Sequence, residues 1–320
     1  MTNLLLNSEL FLRTKLHQLR HVFGQRSMRR LANQRLSAPN RFVPPTLRPF
    51  VNYNREPTIA KPVSQLVTAS QILSPAFAEI CNRLKHPVIL HRKLWEWVYI
   101  VQALEQARVL RKGSRGLGFG VGKERMVSYF AAKGCEITAT DMFPDNANAA
   151  GWVSTDQYAA SIDELNSFGL CDDATFQSAV RFRHVDMNHI PDDLIGYDFL
   201  WSSCAFEHLG GLKHGIDFVL RSLDCLKPGG VAVHTTEFNV SSNEKTIDTG
   251  GTVIYREKDI FELAEVLLKH GHQIEFNLSR GYDEKDRLVS SDRLNTGSQL
   301  KILEIRFVMT SLGLIITKRK

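Results

Sequence analysis

Cysteine is scarce in this chain of 320 residues, and its five cysteines are widely spaced. No two of them form a C-x-x-C pair, and their odd number argues against a disulfide framework and against a zinc ribbon. Free cysteine usually behaves as a small buried hydrophobe, which we expect of Cys81, Cys135, Cys171, Cys204 and Cys225. Reduced thiols suit a reducing compartment, so the expected location is the cytoplasm.

Long apolar runs and internal repeats are missing as well. The best candidate for a membrane span, Phe307–Thr317, is shorter than the roughly 18 residues that a span needs. The 21 glycines and 11 prolines follow no repeat, which excludes collagen-like, solenoid and propeller architectures. Because 43% of the residues are hydrophobic, the chain can bury a core. Its length predicts one large domain with an extension, or two domains.

Acidic residues are nearly absent from the first 60 residues, which hold ten of the 40 lysines and arginines but only two of the 34 acids. Leucines between Asn3 and Val22 predict a helix, and prolines between Ala38 and Pro62 predict an irregular linker. Such a basic arm is compatible with a nucleic-acid or membrane-surface contact, a transit peptide or a plain extension. No nucleic-acid motif accompanies it, membrane-surface contact stays open, and nothing indicates the oligomeric state.

The sequence divides into three parts. Residues 1–62 are predicted to be a basic helix and a proline-rich linker, and residues 63–110 a helical lead-in with helices at Ala76–Leu84 and Arg92–Leu110. In the second helix apolar residues recur every three to four positions, which predicts one buried face. Residues 111–320 are predicted to be an α/β domain.

Alternating glycines open this domain, at Gly116, Gly118, Gly120 and Gly122. A predicted helix, 123–133, and a predicted strand, 136–140, follow, and Asp141 ends the strand. Neither the dinucleotide fingerprint G-x-G-x-x-G nor the P-loop fits these spacings. Glycine allows a ligand to approach the backbone, and an acid after the second strand can accept hydrogen bonds from ribose hydroxyls. The pattern therefore favours a nucleoside ligand without a phosphate to hold.

Three further stretches carry a family resemblance: Val185–Met187, Asp198–His208, and the turn L-K-P-G-G with the strand after it, Leu226–His234. Together with the glycine loop, they make the chain resemble the class I S-adenosylmethionine-dependent methyltransferases. The resemblance implies a doubly wound α/β fold with a mostly parallel, seven-stranded sheet behind the helical N-terminal extension. The cofactor implied is S-adenosyl-L-methionine, with contacts from Gly116, Gly118, Gly120, Gly122, Asp141, Met142, Asp186, Met187 and Ser203.

One position departs from the family pattern. The family usually has an acid two residues before the first loop glycine, where it contacts the methionine ammonium. Here that position is Gly116, so either another group contacts the ammonium, or the ammonium contacts only backbone carbonyls.

Methyl transfer to a hydroxyl calls for a base, and histidine suits that task at neutral pH. His208 follows the predicted fourth strand and His234 lies on the fifth, at the sheet edge where open α/β folds bind their ligands. We expect His208, His234 and Glu207 to be catalytic, with His208 favoured as the base. Glu237 is a further neighbour, but no metal-ligand spacing is met, and no metal is expected. Lower-ranked candidates for the cofactor or acceptor site are Trp152, Thr155, Gln157, Asn243, Asp248, Tyr255 and Arg256.

The expected function is methylation by S-adenosylmethionine, with O-methylation of a small molecule or glycan precursor favoured. The N/D-P-P-Y/F tetrapeptide of DNA adenine and glutamine methyltransferases is missing, because Ser202–Ala205 stand in its place. Two alternatives remain open: a nicotinamide-dependent oxidoreductase, and an inactive cofactor-fold protein that serves as a binding module.

Overall fold

Alternating and β-branched stretches form a sheet of ten strands in the computed structural model, which describes residues 42–150, 157–290 and 299–320. A separate two-stranded ribbon is formed by β7 and β9. The strands are β1 (Val51–Asn52), β2 (Ser64–Leu66), β3 (Arg115–Phe119), β4 (Glu136–Asp141), β5 (Val180–His184), β6 (Tyr197–Ser203), β7 (Gly210–Gly211), β8 (Leu226–Asn239), β9 (Thr249–Gly250), β10 (Phe276–Asn277), β11 (Ile302–Glu304) and β12 (Phe307–Thr317).

Helices connect the strands and cover the sheet. They are α1 (Ala69–Ile72), α2 (Pro75–Arg83), α3 (Arg92–Gln106), α4 (Met126–Ala132), α5 (Pro144–Ala150), α6 (Asp173–Ala179), α7 (Leu212–Ser222) and α8 (Glu257–Lys269). Short 3-10 turns lie at Pro45–Phe50, Ile162–Asn166, Phe206–His208, Leu223–Cys225 and Glu284–Arg287. Local signals explain several ends: the side chain of Ser74 caps α2, and Asp172 caps α6.

The strand order is β1-β10-β2-β12-β8-β6-β3-β4-β5, with β11 paired to β12. The five strands from β8 to β5 are parallel, and β12 runs antiparallel to both of its neighbours β8 and β2. Parallel strands end at the same edge, so the carboxyl ends of β3, β4, β5, β6 and β8 lie together there. Ligands of open α/β sheets bind at this edge.

Two apolar clusters fill the two faces of the sheet. Phe199 and Trp201 of β6 pack on one face with residues of α2, α3, α4 and α6. Leu200, between them in sequence, packs on the other face with residues of α7 and α8. This alternation follows from the two-residue period of a strand, and helices on both faces confirm the doubly wound α/β fold.

The sheet is wider than predicted, with ten strands in the described residues in place of seven. The sequence predicts two C-terminal strands, Gln273–Leu278 and Ile305–Thr317, that fit a closing antiparallel pair, but in the described residues only Gln273 and Thr317 bridge directly. Beyond that bridge β2 lies between them, pairing antiparallel with β12 and parallel with β10. The extra width therefore comes largely from short strands before residue 70.

The segment predicted to be an irregular linker also needs correction. Residues 45–52 form a 3-10 turn and β1, and β1 pairs with β10 at the sheet edge. Leu47 is fully buried, and the Thr46 hydroxyl donates to Glu265 of α8 over 2.6 Å. The three-part division at residues 62 and 110 stays a prediction. The basic helix predicted at 3–22, with its proposed membrane-surface contact, lies outside the described residues.

None of the helices in the described ranges combines the length and apolar character that crossing a membrane requires. The cytoplasmic location stays a prediction.

Replacing Leu47 with alanine tests whether residues 45–52 belong to the folded unit. The buried side chain would leave a cavity, so we expect the free energy of unfolding to fall by about 2–5 kcal/mol in urea denaturation. Phe42→Ala is the control, because Phe42 is 69% exposed and its loss should cost less than about 0.5 kcal/mol. If both substitutions lowered the free energy of unfolding equally and only slightly, residues 45–52 would be a linker outside the folded unit.

Candidate active site

Two of the four loop glycines serve packing. Gly116 and Gly118 lie within β3, and a Cβ on either would overlap an aromatic ring of the adjacent strand β6. The ring beside Gly116 is that of Phe199, and the ring beside Gly118 is that of Trp201. The space on the Cβ side of these two glycines is filled by core side chains, which accounts for glycine at both positions; their contact with the cofactor stays a prediction.

Gly120 and Gly122 lie beyond the strand, and both adopt positive φ, at +58° and +50°. A Cβ on Gly120 would stand 3.0 Å from the Cβ of Ala205 and 3.6 Å from the sulfur of Met187. A Cβ on Gly122 would overlap the backbone oxygen of Gln157. Gly120 thus lies at the junction of the loops that follow β3, β5 and β6, and its missing side chain allows these loops, and a ligand between them, to approach the backbone.

Asp141 fixes the glycine loop from the end of β4. One carboxylate oxygen accepts from the backbone N–H of Gly122 over 2.9 Å, and the other from that of Met142 over 2.8 Å. The residue is 7% exposed, and burial raises the pKa of its carboxyl, against the opposing effect of these donors. The loop is therefore held to β4 by charge-assisted hydrogen bonds.

The other residues predicted to hold the cofactor stand along the same edge. Met142 follows β4, Asp186 and Met187 follow β5, and Ser203 ends β6. Asp186 accepts from the backbone N–H of Asn188 over 2.8 Å. The strand order β5-β4-β3-β6 brings these positions side by side around Gly120. Whether they contact a cofactor stays a prediction.

Glu124 is a buried acid of the same loop. Its Oε1 accepts from the indole N–H of Trp97 over 3.1 Å, and the Ser203 hydroxyl is a second partner. Its Oε2 is buried and accepts no hydrogen bond within the described residues. Burial raises the pKa of the carboxyl to about 8. A carboxyl with one buried oxygen unpaired is well suited to accept a cationic donor.

A cluster of buried charged residues lies where helix α3 meets the carboxyl ends of β6 and β8. Arg92 Nη2 lies 2.7 Å from Glu237 Oε1, and Arg92 Nη1 lies 3.3 Å from Glu96 Oε1. Lys93 Nζ is 3.5 Å from Glu96 Oε2 and 3.7 Å from Glu237 Oε1. The Cys204 thiol donates to Glu96 Oε1 over 3.2 Å. We call the following six residues the buried charge cluster, although the Lys93 side chain at its edge is 41% exposed: Arg92, Lys93, Glu96, Cys204, Glu207 and Glu237.

Burial and neighbouring charges compete in this cluster. Burial lowers the pKa of Arg92, but the interactions around the guanidinium, with the charge of Glu237 the strongest of them, together outweigh burial and hold the group charged. Burial raises the pKa of the Cys204 thiol well above its ordinary value, and it also raises the pKa of Glu207. The cluster therefore combines fixed positive charge with a thiol and a carboxyl, Cys204 and Glu207, whose burial opposes ionisation.

His208 stands at the entrance to this cluster with its ring held in one tautomer. Its Nδ1 lies 2.7 Å from the backbone oxygen of Gly251. Because a carbonyl only accepts, Nδ1 must carry the hydrogen, and in the neutral ring Nε2 then carries the lone pair. Nε2 lies 4.0 Å from Glu207 Oε1. The side chain is 18% exposed, so His208 combines the geometry and accessibility of a general base.

His234 does not share these properties. It is fully buried within β8, between the rings of Phe206 and Phe218, and its Nδ1 lies 2.8 Å from the Ser202 hydroxyl. Burial lowers the pKa of its ring to about 3. The prediction of a catalytic His234 is therefore wrong for this structure, because its side chain turns into the core.

Most lower-ranked acceptor candidates have structural partners. The Asn243 side chain accepts from the backbone N–H of Lys258, and Tyr255 is buried against Phe206. Arg256 pairs with Asp259 in the first turn of α8. Asp248 is exposed beside β9, and Gln157 is exposed beside Gly122; Trp152 and Thr155 lie outside the described residues.

Sequence reasoning missed the charged residues of α3 and Glu124. Helix α3 was predicted to have one buried apolar face, but it is buried on more than one face, and Arg92 and Glu96, four residues apart, share another of them. Apolar residues on several faces of this helix are the signal that its charged residues would be buried too. Glu124 was considered only as a failed P-loop position.

Glu124→Gln tests the raised pKa. The unfolded carboxyl ionises near pH 4.5 and the folded one near pH 8. Its contribution to stability is therefore complete below pH 4.5 and is lost as the pH rises to about 8, at up to about 1.4 kcal/mol per pH unit. The glutamine variant lacks this loss, so its free energy of unfolding should improve relative to wild type between about pH 5 and about pH 8.

Exposed Glu79→Gln is the control, and its difference from wild type should not change with pH in this way. A constant difference for Glu124→Gln across the same range would mean that the carboxyl ionises normally in the fold.

No model of a known protein family matches the chain, and no curated protein matches it. Among solved structures, it is similar to a candidate sarcosine dimethylglycine methyltransferase from Galdieria sulphuraria, with 13% identity over 77% of this chain and 99% of that one, at a TM-score of 0.43. Phosphoethanolamine N-methyltransferase 2 of Haemonchus contortus, in complex with S-adenosyl-L-methionine, shares 16% identity over 62% of this chain and 41% of that one, at a TM-score of 0.37. A complex of DhpI with SAH shares 15% identity over 70% of this chain and 86% of that one, at a TM-score of 0.39. The functional proposal rests on the residues of the site themselves.

Proposed function

We propose that the protein is an S-adenosylmethionine-dependent methyltransferase. The observation that carries the proposal is the meeting of the loops after β3, β5 and β6 at Gly120, at the carboxyl edge of the sheet, where Ala205 and Met187 lie beside the glycine. Bound there, the cofactor supplies a methyl group on a sulfonium, which is already activated for transfer. The protein's task is to hold donor and acceptor in line and to remove a proton from the acceptor.

The backbone N–H groups of the glycine loop already donate hydrogen bonds within the protein, which favours S-adenosylmethionine over a dinucleotide. A pyrophosphate needs backbone N–H donors at a glycine loop and helix start. Here the N–H of Val121 donates to Thr140, that of Gly122 to Asp141, and that of Glu124 to Val121. These donors are already used within the protein. A cationic nucleoside needs only close approach to the backbone, so the oxidoreductase alternative is disfavoured.

Residues for each part of the cofactor follow from their positions. Asp141 would accept from the ribose hydroxyls, while Met142, Asp186 and Met187 would line the adenine. Glu124 would pair with the methionine ammonium, since its buried Oε2 has no hydrogen-bond partner within the described residues. It would replace the acid that the family has at position 116, where Gly116 is packed against Phe199. Ser203 would support the carboxylate of Glu124.

The acceptor is proposed to be a hydroxyl of a small molecule or glycan precursor. His208 Nε2 would take the hydroxyl proton, and Glu207, 4.0 Å away, would stabilise the imidazolium that forms. The Gly251 carbonyl keeps the ring oriented throughout. Such buried charge at the strand ends costs stability, which disfavours the alternative of an inactive binding module.

Gly120→Val should abolish S-adenosylmethionine binding in titration calorimetry, because a branched side chain would fill the space left beside the backbone. Gly169→Val is a matched control: Gly169 has φ +57° against +58° for Gly120, and a Cβ there would meet nothing within 4 Å. Both variants carry the same backbone strain, but a Cβ at Gly120 also stands 3.0 Å from the Cβ of Ala205, so circular dichroism must show that both variants are folded before their binding is compared. Retained binding by the Gly120 variant, or binding of NAD instead, would contradict the proposal.

His208→Gln should lower turnover about 10²–10⁴-fold, measured with labelled cofactor once an acceptor panel has given a substrate. Cofactor affinity should stay unchanged, since His208 is not among the residues proposed to hold the cofactor. His270→Gln, an exposed histidine on the C-terminal side of α8, should leave turnover unchanged. Full turnover in the His208 variant would mean that the acceptor needs no base.

A further inference from the structure

One thiol and two carboxylates converge within the buried charge cluster. Cys204 follows β6, Glu207 lies in the 3-10 turn after it, and Glu237 lies near the end of β8. Each offers one ligand atom, and the three atoms lie within 4.8 Å of one another. We propose that Cys204, Glu207 and Glu237 bind a divalent transition-metal ion of the zinc class.

The state of Glu207 points to a missing cation. The side chain is fully buried, and its Oε2 accepts from the Thr236 hydroxyl over 3.1 Å. Its Oε1 accepts no hydrogen bond within the described residues. Arg92 and Lys93 pair with Glu96 and Glu237, whereas the basic atom paired with Glu207 is His208 Nε2, at 4.0 Å. A buried carboxylate oxygen without a donor is costly, and a metal ion would satisfy it.

The charges of the cluster lead to the same conclusion. Glu96, Glu207 and Glu237 are three acids, against the two positive charges of Arg92 and Lys93. A metal ion binds cysteine as the thiolate, which adds a fourth negative charge. The two charges of a divalent ion then make the cluster neutral, whereas without the ion the basic partner of Glu207 is His208 Nε2 at 4.0 Å.

The ligand types narrow the identity of the ion. Magnesium and calcium take oxygen ligands, while a thiolate favours zinc and similar transition metals. Zinc bonds of about 2.0–2.3 Å place ligand atoms within about 4 Å of each other. Side-chain rotations that move the three ligand atoms by about 1 Å would therefore bring them to bonding distance of one ion. Three protein ligands leave a fourth position open, as in catalytic zinc sites.

The spacing of these residues in the sequence meets no metal-ligand rule, and no metal was expected from it. Glu207 follows Cys204 by three residues, but Glu237 comes thirty residues later, on the neighbouring strand. The ligands meet only because β6 and β8 are adjacent and parallel. The inference does not depend on the proposed methyl transfer, although an ion here would lie beside His208.

Cobalt(II) titration of the full chain, stripped of metal with a chelator, tests the site. Cobalt replaces zinc in such sites and reports sulfur ligation through a thiolate-to-cobalt charge-transfer band in the near ultraviolet. We expect this band to rise to saturation at one ion per chain and to be removed by added zinc. The absence of the band at excess cobalt would overturn the proposal.

Variants assign the ligands. Cys204→Ser should lose the charge-transfer band, and Glu207→Gln should weaken cobalt affinity about tenfold or more. Cys225→Ser is the matched thiol control, since Cys225 is buried beyond α7, and it should keep the band. Circular dichroism of each variant verifies folding. A band that persists in Cys204→Ser would overturn the assignment, and S-adenosylmethionine calorimetry on the same samples tests the methyltransferase proposal separately.

Discussion

The buried ion pair between Arg92 and Glu237 connects the helix before the central strands to the sheet edge where the site lies. Arg92 also donates to the Ser311 hydroxyl of β12 over 3.1 Å, so one guanidinium joins α3, β8 and β12. Removing one partner of such a pair leaves an unpaired buried charge, at a cost of about 3–5 kcal/mol. The position of α3, and with it the position of Lys93, Glu96 and Trp97, depends on this interaction.

The position of helix α3 also connects the buried charge cluster with the glycine loop. Trp97, one residue after Glu96 on α3, donates to Glu124, and Glu124 follows the loop that Asp141 holds to β4. The predicted cofactor residues and the predicted acceptor residues therefore share one helix as their support. A change in the seating of α3 would reach both sides of the site, which explains why this helix is charged at its first turn and apolar beyond it.

The sequence predicts the parts of this protein that depend on local pattern. Glycine spacing, the Lys-Pro-Gly-Gly turn and alternating strands led to the correct fold class, and helix α3 was predicted at Arg92–Leu110 and observed at Arg92–Gln106. Properties that depend on tertiary packing were less accessible. That Phe199 and Trp201 fill the space beside Gly116 and Gly118 is visible only in the structure. Likewise His234 can be recognised as a core residue only once Phe218 packs on it.

The placement of β2 affects the order in which the chain can fold. Leu66 pairs with Leu312, and Gln65 with Gly313, so the two strands are far apart in sequence. During synthesis, β2 has neither of its partners in the sheet until β10 and then β12 have been made. Contacts so distant in sequence form slowly, and an unpaired edge is prone to wrong association while it waits. The five parallel strands from β8 to β5 can pair before that point, which makes closure of this edge the natural final step of folding.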